Sequence, residues 1–278
     1  MKKRKKAKRV IPYFGLSMGV TISMLSVIVL IPLASLVIYT AQMSWQDIWE
    51  AITRSRVMAS YRSFLTALAA SAINAVMGVI LAWVLVRYKF PFKRILDGMI
   101  ELPFALPTAV AGIALTSLTA DTGIIGGFFS KLGISIAYTP IGITAALVFI
   151  GIPFVVRAVQ PVLEKLDPVY EEAAGVMGAS RVRIFWRIIF PEILPAVLTG
   201  FGLAFGRCLG EYGSVVFIAG NKPFETEITP LVIMSELQEF DYASATAIAL
   251  VMLVASFLVL FLVNLVQARN TKILTGGR

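Results

Sequence analysis

The chain alternates between long apolar runs and short polar intervals that carry its charges. Six runs, near residues 12–39, 63–86, 97–118, 139–158, 196–219 and 243–267, are apolar over about the length of a transmembrane helix. A bilayer core about 30 Å thick needs roughly 20 such residues. Two runs are interrupted, the third by Pro103 and Pro107 and the fifth by Arg207 and Glu211. The pattern predicts an all-α, polytopic membrane protein with six transmembrane helices.

Positive charge is shared unevenly between the polar intervals. With a cytoplasmic N-terminus, the cytoplasmic intervals hold 19 Lys and Arg residues and the opposite intervals hold 5, with Arg207 left inside a span. Cations collect on the cytoplasmic side of membrane proteins. The first apolar run, from Ile11 to Ile38, exceeds the roughly 7–15 apolar residues of a cleaved signal peptide. We therefore expect a retained first helix, both termini in the cytoplasm, and a multi-pass location in the cytoplasmic (inner) membrane of a bacterium.

Composition narrows the chemistry. Hydrophobic residues make up 58% of 278 positions and the mean hydropathy is +0.84, which is typical of membrane proteins. The net charge of +9 is concentrated before the first span, where it suits an anionic membrane surface rather than nucleic acid. The sequence has no histidine and a single cysteine, Cys208. It also lacks the phosphate-binding motif G-x-x-x-x-G-K-[ST]. We expect no catalytic residue, no metal site, no bound cofactor and no ATP hydrolysis by this chain.

Two polar intervals on the predicted outer side each allow two interpretations of their role. Residues 41–61 have the spacing of an amphipathic helix, which favours an interfacial anchor over contact with an external partner. Residues 220–242 are acidic, which favours solvation and charge balance over a landing surface for a delivery protein. The acids are Glu225, Glu227, Glu236, Glu239 and Asp241.

The longest polar interval, residues 159–195, has the signals of two short helices. Asp167 before Pro168 is typical of a helix N-terminus. Gly178 tolerates a positive φ and is predicted to turn the chain, after which Ser180 caps a second helix that runs to a break at Pro191. Two helices meeting at a glycine corner form a rigid knob, which can transmit a push from a soluble partner.

This interval also carries a resemblance. The spacing Glu-Ala-Ala, three residues, Gly, nine residues, Ile-x-Leu-Pro is the signature of permease subunits of bacterial ABC importers. The chain resembles it from Glu172 to Pro191, with Phe190 in place of the leucine. The resemblance implies that the segment is a coupling helix seated in a groove of a cytoplasmic ATPase. It assigns the coupling role to Glu171, Glu172, Ala173, Ala174, Gly178, Ile188 and Pro191.

The wider resemblance implies three regions and a substrate class. Residues 58–267 are similar to the type-1 permease core, preceded by a basic tail, first helix and external amphipathic segment over 1–57 and followed by a cytoplasmic tail over 268–278. Residues 102–108 and 209–213 resemble the sulfate and molybdate branch, and residues 219–224 and 237–242 resemble the T-type subunit of sulfate/thiosulfate importers. The implied partners are a W-type sister permease, two copies of an ABC ATPase that uses ATP, an extracytoplasmic sulfate/thiosulfate-binding protein and the lipid bilayer.

The function that follows is a non-catalytic permease subunit of an ATP-driven sulfate/thiosulfate importer. A permease for molybdate or tungstate is the nearest alternative. A secondary anion transporter would need ion-coupling carboxylates near the bilayer midplane and an internal repeat, and Glu211 is the one good candidate. A membrane enzyme would need a nucleophile or base constellation, which is not apparent without histidine.

Five residues are candidates for the translocation path or a subunit interface. Prolines in the third run favour a kinked, pore-lining helix over a simple packing kink. In the fifth run, a cation and an acid four residues apart lie on one face of a helix, where they either neutralise each other or serve the anion path. These candidates are Pro103, Pro107, Thr108, Arg207 and Glu211.

Overall fold

The computed structural model describes residues 14–274, with side chains described as far as residue 268. The basic cluster predicted to precede the first span, and the last residues of the C-terminal tail, lie outside these residues. Helices account for all the regular structure between residues 14 and 274, and this part of the chain has no strand. In chain order the helices are α1 (Phe14–Leu25), a π turn (Ser26–Leu30), α2 (Ile31–Ala41), α3 (Trp45–Thr53), α4 (Ser55–Ser60), α5 (Arg62–Arg87), α6 (Lys93–Ile100), α7 (Leu102–Ala105), α8 (Thr108–Thr119), α9 (Ile124–Ser130), α10 (Pro140–Lys165), α11 (Val169–Val176), α12 (Arg181–Ile184), a second π turn (Phe185–Ile189), α13 (Phe190–Leu209), α14 (Val215–Ile218), α15 (Thr229–Gln238) and α16 (Tyr242–Leu274).

Helices long and apolar enough to cross a membrane confirm a multi-pass architecture. Five continuous stretches qualify, at Phe14–Ala41, Ser55–Arg87, Pro140–Lys165, Arg181–Leu209 and Tyr242–Ala268. A sixth crossing is available if α8 and α9, which meet at a bend of 42°, act as one span. The all-α membrane fold is therefore as predicted, while the third and fifth spans differ from their predicted form.

The third predicted span, 97–118, is not a single kinked helix. Pro103 lies in the first turn of α7 and Pro107 directly precedes α8, so the chain breaks twice within the predicted run. Leu106 is extended, with φ −87° and ψ 136°, as the residue before a proline prefers to be. The prediction of one kinked helix is wrong because each proline starts a new helix, and the apolar crossing is shifted to α8 and α9.

The fifth predicted span, 196–219, is also displaced. A continuous helix runs from Arg181 to Leu209, and the predicted break at Pro191 is absent. Just before this proline the helix widens into the second π turn, where the backbone N–H of Phe190 bonds to the carbonyl oxygen of Phe185. This change of register accommodates a residue that has no N–H to donate and a ring that crowds the preceding turn. The helix ends at Leu209, ten residues before the predicted end.

Three long helices, α5, α10 and α13, cross closely to form the core. Both neighbours of α10 present a glycine to Val155: a Cβ built on Gly78 lies 2.7 Å from its Cβ, and one built on Gly200 lies 2.7 Å from its Cα. Small residues allow such close contact between membrane helices, which associate by packing rather than by a hydrophobic driving force. The first span lies outside this core, since α1 and the π turn that follows it bury no residue within the described chain.

The acidic segment 220–242 is joined by ion pairs to α4 and to the residue that precedes it. The Arg56 guanidinium donates two hydrogen bonds to the Glu227 carboxylate, at 2.8 and 2.5 Å, and one to Ser235 Oγ at 3.1 Å. Arg54 lies 3.7 Å from the carboxylate of Glu236. Glu227 and Glu236 are only 5% exposed, so the interpretation of the acids as solvating charges is wrong for these two.

Glutamine at position 227 tests this clamp, because it keeps the shape of the side chain and removes its charge. We expect Glu227→Gln to lower the free energy of unfolding by about 1–3 kcal/mol. This is less than the loss from a fully buried pair, since the Arg56 side chain is 32% exposed. Thermal unfolding in detergent measures the effect, with Glu225→Gln as the control because Glu225 is exposed and forms no recorded ion pair in the described chain. Equal midpoints of thermal unfolding for Glu227→Gln and Glu225→Gln would contradict a stabilising role for the pair of Arg56 with Glu227.

Candidate functional site

The predicted glycine corner between two helices is present, although the second helix is not short and continues into the membrane span as far as Leu209. Helix α11 starts at Val169, whose backbone N–H donates to Asp167 Oδ1 at 3.0 Å. The chain then turns at Gly178, which has φ +82°, and the turn is closed by a hydrogen bond from the N–H of Ala179 to the carbonyl oxygen of Ala174 at 3.0 Å. Ser180 Oγ accepts the backbone N–H of Arg183 at 3.4 Å and caps the second helix. Glycine is suited to this corner because it adopts a positive φ without a side-chain clash.

The two glutamates of the knob have different surroundings. Glu171 forms an ion pair of 2.5 Å with Arg87 in the last turn of α5, whereas Glu172 is exposed. The Arg87 guanidinium also lies over the ring of Trp83, 5.6 Å from its centroid. Of the two alanines, Ala173 is exposed and Ala174 is buried. One side of α11 is therefore tied to the membrane helices, and the other is free.

The remaining coupling candidates lie where the knob joins the long helix. Ile188 is half-buried in the second π turn and packs against the core, and Pro191 is half-buried in the first turn of α13. Aromatic rings fill the junction: Phe185 lies 5.7 Å from Trp83 of α5 and 5.3 Å from Trp186, measured between ring centroids. The knob is therefore joined to α5 by packing between aromatic side chains.

Sequence reasoning missed Arg87 and Trp83. In the sequence, Arg87 counts only as one of the basic residues that favour an orientation, and Trp83 only as an aromatic residue near the end of a span. Nothing in the local pattern pairs Arg87 with Glu171, which is 84 residues away. Its position at the end of a span, opposite an acidic helix start, is the signal that was available.

The structure brings four of the five path candidates to one place, because Arg207 pairs with Glu211 and the loop that contains Glu211 lies beside Pro107 and Thr108. The N-terminal half of α8 lies against the loop that follows α13: a Cβ built on Gly213 would be 2.1 Å from Thr108 Oγ1, and one on Gly112 would be 2.5 Å from the carbonyl oxygen of Ser214. Thr108 and the preceding Pro107 thus border the loop that contains Glu211. Pro103 is separate, since it is buried in α7, a helix that packs against α10.

Arg207 and Glu211 form an ion pair, but not on one helical face. Helix α13 ends at Leu209 and Gly210 follows as its cap, so Glu211 lies beyond the helix. The Glu211 side chain is 2% exposed, and its carboxylate also accepts hydrogen bonds from Ser214, at 2.8 Å from the backbone N–H and 3.0 Å from Oγ. The prediction of a shared helical face is wrong because the glycine ends the helix, although the predicted pairing is present.

Arg207 also lines an open space. A cavity of about 500 Å³ lies between α10, α13 and α16, with Arg207 and Gly206 among its lining residues, together with the polar Thr199 and Asn264. The Arg207 side chain is 35% exposed, so its pairing with Glu211 leaves part of its charge facing this space. Both predicted roles, charge neutralisation and a place on an anion path, are compatible with this geometry. Among the described residues, no three acids or cysteines are grouped so as to hold a metal ion.

Comparisons with known proteins place the chain in a family. The family described as "Binding-protein-dependent transport system inner membrane component" matches residues 74–272. The sulfate transport system permease protein CysT of Escherichia coli K12 is 49% identical over 271 residues, which cover 97% of this chain and 98% of that protein. The protein of the same name from Synechocystis is 46% identical over 249 residues, covering 89% and 87%.

Solved structures agree in fold. A chain of a bacterial alginate ABC transporter, in complex with an alginate pentasaccharide-bound periplasmic protein, superposes with a TM-score of 0.75 at 19% identity, covering 92% of this chain and 94% of that chain. A chain of the MetNI methionine ABC transporter in an inward-facing conformation gives 0.54 at 16% identity, covering 82% and 97%. The chain therefore belongs to the family of binding-protein-dependent transport system inner membrane components, in which it groups with type-1 ABC permeases of the CysT type.

Proposed function

We propose that the chain is the permease subunit of an ATP-driven importer for sulfate and thiosulfate in the bacterial cytoplasmic membrane. The observation that carries this proposal is the near full-length similarity to relatives named as sulfate transport permeases. The subunit forms the translocation path together with a W-type sister permease. It binds no cofactor and catalyses no reaction, and two copies of a partner ATPase use the ATP. An extracytoplasmic binding protein delivers the anion.

The knob over residues 167–191 is the proposed contact with the ATPase. Apolar side chains project from the end of α11 toward the glycine corner: Val176 is 90% exposed and Met177 is 81% exposed. On a water-facing knob such side chains favour a partner surface. The exposed Ala173 lies on the same segment, and the exposed Glu172 lies at its edge, where it also lines a cavity beside α5. Glu171 pairs with Arg87 and Ala174 is buried, so these two residues fix the segment to the membrane helices. Docking on one side and anchoring on the other suit a segment that transmits movement.

In this proposal both termini and the knob are cytoplasmic, with a permease core over 58–267 between the terminal regions 1–57 and 268–278. Single cysteines at Ser55 and Ser180 test the orientation in a Cys208→Ser background, since both positions are exposed and Cys208 is buried. We expect an impermeant thiol reagent, added to intact spheroplasts, to label position 55 and to spare position 180. Lysed cells, in which both positions react, are the control. The reverse pattern in intact cells would overturn the orientation.

Transport by the reconstituted complex tests the substrate. The chain, its sister permease, the ATPase and the binding protein are placed in vesicles, and uptake of radiolabelled sulfate is measured with thiosulfate or molybdate as competitor. We expect ATP-dependent sulfate uptake that thiosulfate inhibits and molybdate does not. Uptake of molybdate without sulfate, or full activity of this chain with the ATPase and no sister permease, would contradict the substrate assignment. Uptake without ATP would contradict the importer class.

A further inference from the structure

A groove lies behind the knob, at the C-terminal end of α5, and consists of two adjoining cavities. The first has a volume of about 600 Å³ and a charged lining that includes Arg87, Glu171, Glu172 and Arg181. The second has a volume of about 410 Å³ and an apolar lining that includes Val79, Ile80, Val182 and Trp186. The two share Trp83, Tyr88, Arg181 and Phe185, so they form one continuous groove with a polar end and an apolar end.

The charges of the polar end leave one cation and one anion free. Arg87 and Glu171 are 2.5 Å apart and neutralise each other. Arg181 and Glu172 are both exposed, and neither forms an ion pair with another residue of the described chain. A ligand matched to this end therefore carries one negative and one positive charge. A purely anionic group would meet Glu172, and a purely cationic group would meet Arg181.

The apolar end continues along an uncovered face of α5. Ile73, Val76 and Ile80 follow one another at helical spacing and are 43%, 62% and 49% exposed. From Ile73 to Trp83 this face is about 15 Å long at 1.5 Å per residue. At the end of the face, Trp83 and Tyr88 are the residue types that mark the level of lipid headgroups. The groove thus has an apolar tail region, an aromatic boundary and a charged head region in line.

We propose that this groove binds a zwitterionic phospholipid with a primary amine in its headgroup, taken from the leaflet at this end of α5. The phosphodiester accepts hydrogen bonds from Arg181, and the ammonium group donates to Glu172. One acyl chain lies on Val79, Ile80 and Trp186. The bound lipid fills the space between α5 and the back of the knob, beside the pair formed by Arg87 and Glu171. The site is independent of the transported anion and does not require that the knob touch an ATPase.

Native mass spectrometry of the purified, delipidated importer complex tests the site by titration with phosphatidylethanolamine or phosphatidylglycerol. We expect tighter binding of phosphatidylethanolamine. Arg181→Gln should weaken binding of both lipids by about tenfold, because both lose a charge-assisted contact to the phosphate. Glu172→Gln should weaken only phosphatidylethanolamine, because only that headgroup carries the amine. Arg183→Gln is the matched control, since Arg183 is exposed on the same short helix and lines neither cavity.

Three results would overturn the proposal. Equal binding of the two lipids to the unmodified complex would mean that the groove does not distinguish a headgroup with an amine from one without. An equal loss in Arg181→Gln and Arg183→Gln would reduce the effect to general surface charge. Binding that appears only after the ATPase is stripped from the complex would show that the ATPase, and not lipid, occupies the groove. None of these results depends on sulfate uptake, so failure here is distinguishable from failure of the proposed function.

Discussion

Exchanging the charges of the Arg207 and Glu211 pair is expected to leave sulfate uptake at least about tenfold below that of the unmodified complex. The exchange, Arg207→Glu with Glu211→Arg, restores two opposite charges and would rescue a pair held only by their attraction. The Glu211 carboxylate also accepts two hydrogen bonds from Ser214, at 2.8 and 3.0 Å. An arginine in that place has no acceptor to offer, so the hydrogen bonds that hold Ser214 to position 211 in the loop after α13 are lost.

The single changes set the scale for this comparison. An unpaired charge within a span is unfavourable by about 2.5–3.5 kcal/mol on insertion scales, so Arg207→Glu and Glu211→Arg should each reduce both insertion and uptake. Glu211→Gln is the control that keeps an acceptor for Ser214 and removes the charge, and we expect it to retain more uptake than Glu211→Arg. The measurements are the amount of inserted chain and the initial rate of uptake per inserted complex. Near-normal uptake by the exchanged pair would show that opposite charge alone is sufficient.

Valine at position 178 is expected to uncouple ATP hydrolysis from transport while the chain still inserts. Gly178 has φ +82°, and a Cβ added there would meet no atom within 4 Å. The substitution therefore acts through backbone strain alone, of about 1 kcal/mol or more for a β-branched residue, which the chain relieves by tilting α11 away from α12. The tilt moves Val176 and Met177, the exposed end of the knob, away from their proposed partner.

Two control variants separate the strain at this corner from the added bulk. Gly98→Val adds the same side chain in α6 at a glycine that also has open space but no positive φ, so we expect normal coupling. Gly178→Asn introduces a residue that tolerates a positive φ and should retain most of the activity. The measurements are substrate-stimulated ATPase activity and uptake in vesicles. Normal values of both in Gly178→Val would remove the rigid corner from the proposed mechanism.

The sequence predicts well what depends on neighbouring residues. Apolar runs predict the spans because a helix across a bilayer must be apolar along its whole length. The corner at Gly178 and the cap at Ser180 were predictable because each depends on residues within four positions. The breaks at Pro103 and Pro107 were misjudged because hydropathy does not distinguish one kinked helix from several short ones.

What depends on distant residues escaped prediction. The pair of Arg56 with Glu227 joins residues 171 positions apart, and the pair of Arg87 with Glu171 joins residues 84 apart. No local pattern indicates that these side chains meet. Asn74 is a further case: it is fully buried between the core helices, and its side-chain amide has no hydrogen-bond partner among the described residues. In the sequence it is the single amide side chain of the apolar run 63–86.

Because the helix does not break at Pro191, the second helix of the knob and the membrane span form one continuous helix. The helix from Arg181 to Leu209 has 29 residues, which corresponds to a rod about 42 Å long. If such a rod tilts by about 5° about one end, the other end moves by about 4 Å. Arg207 lies near the far end of this helix, whereas Glu211 lies beyond the helix and accepts a hydrogen bond from Ser214. We therefore expect a rotation applied at Ser180 to change the distance between the guanidinium and its carboxylate at the opposite end of the span.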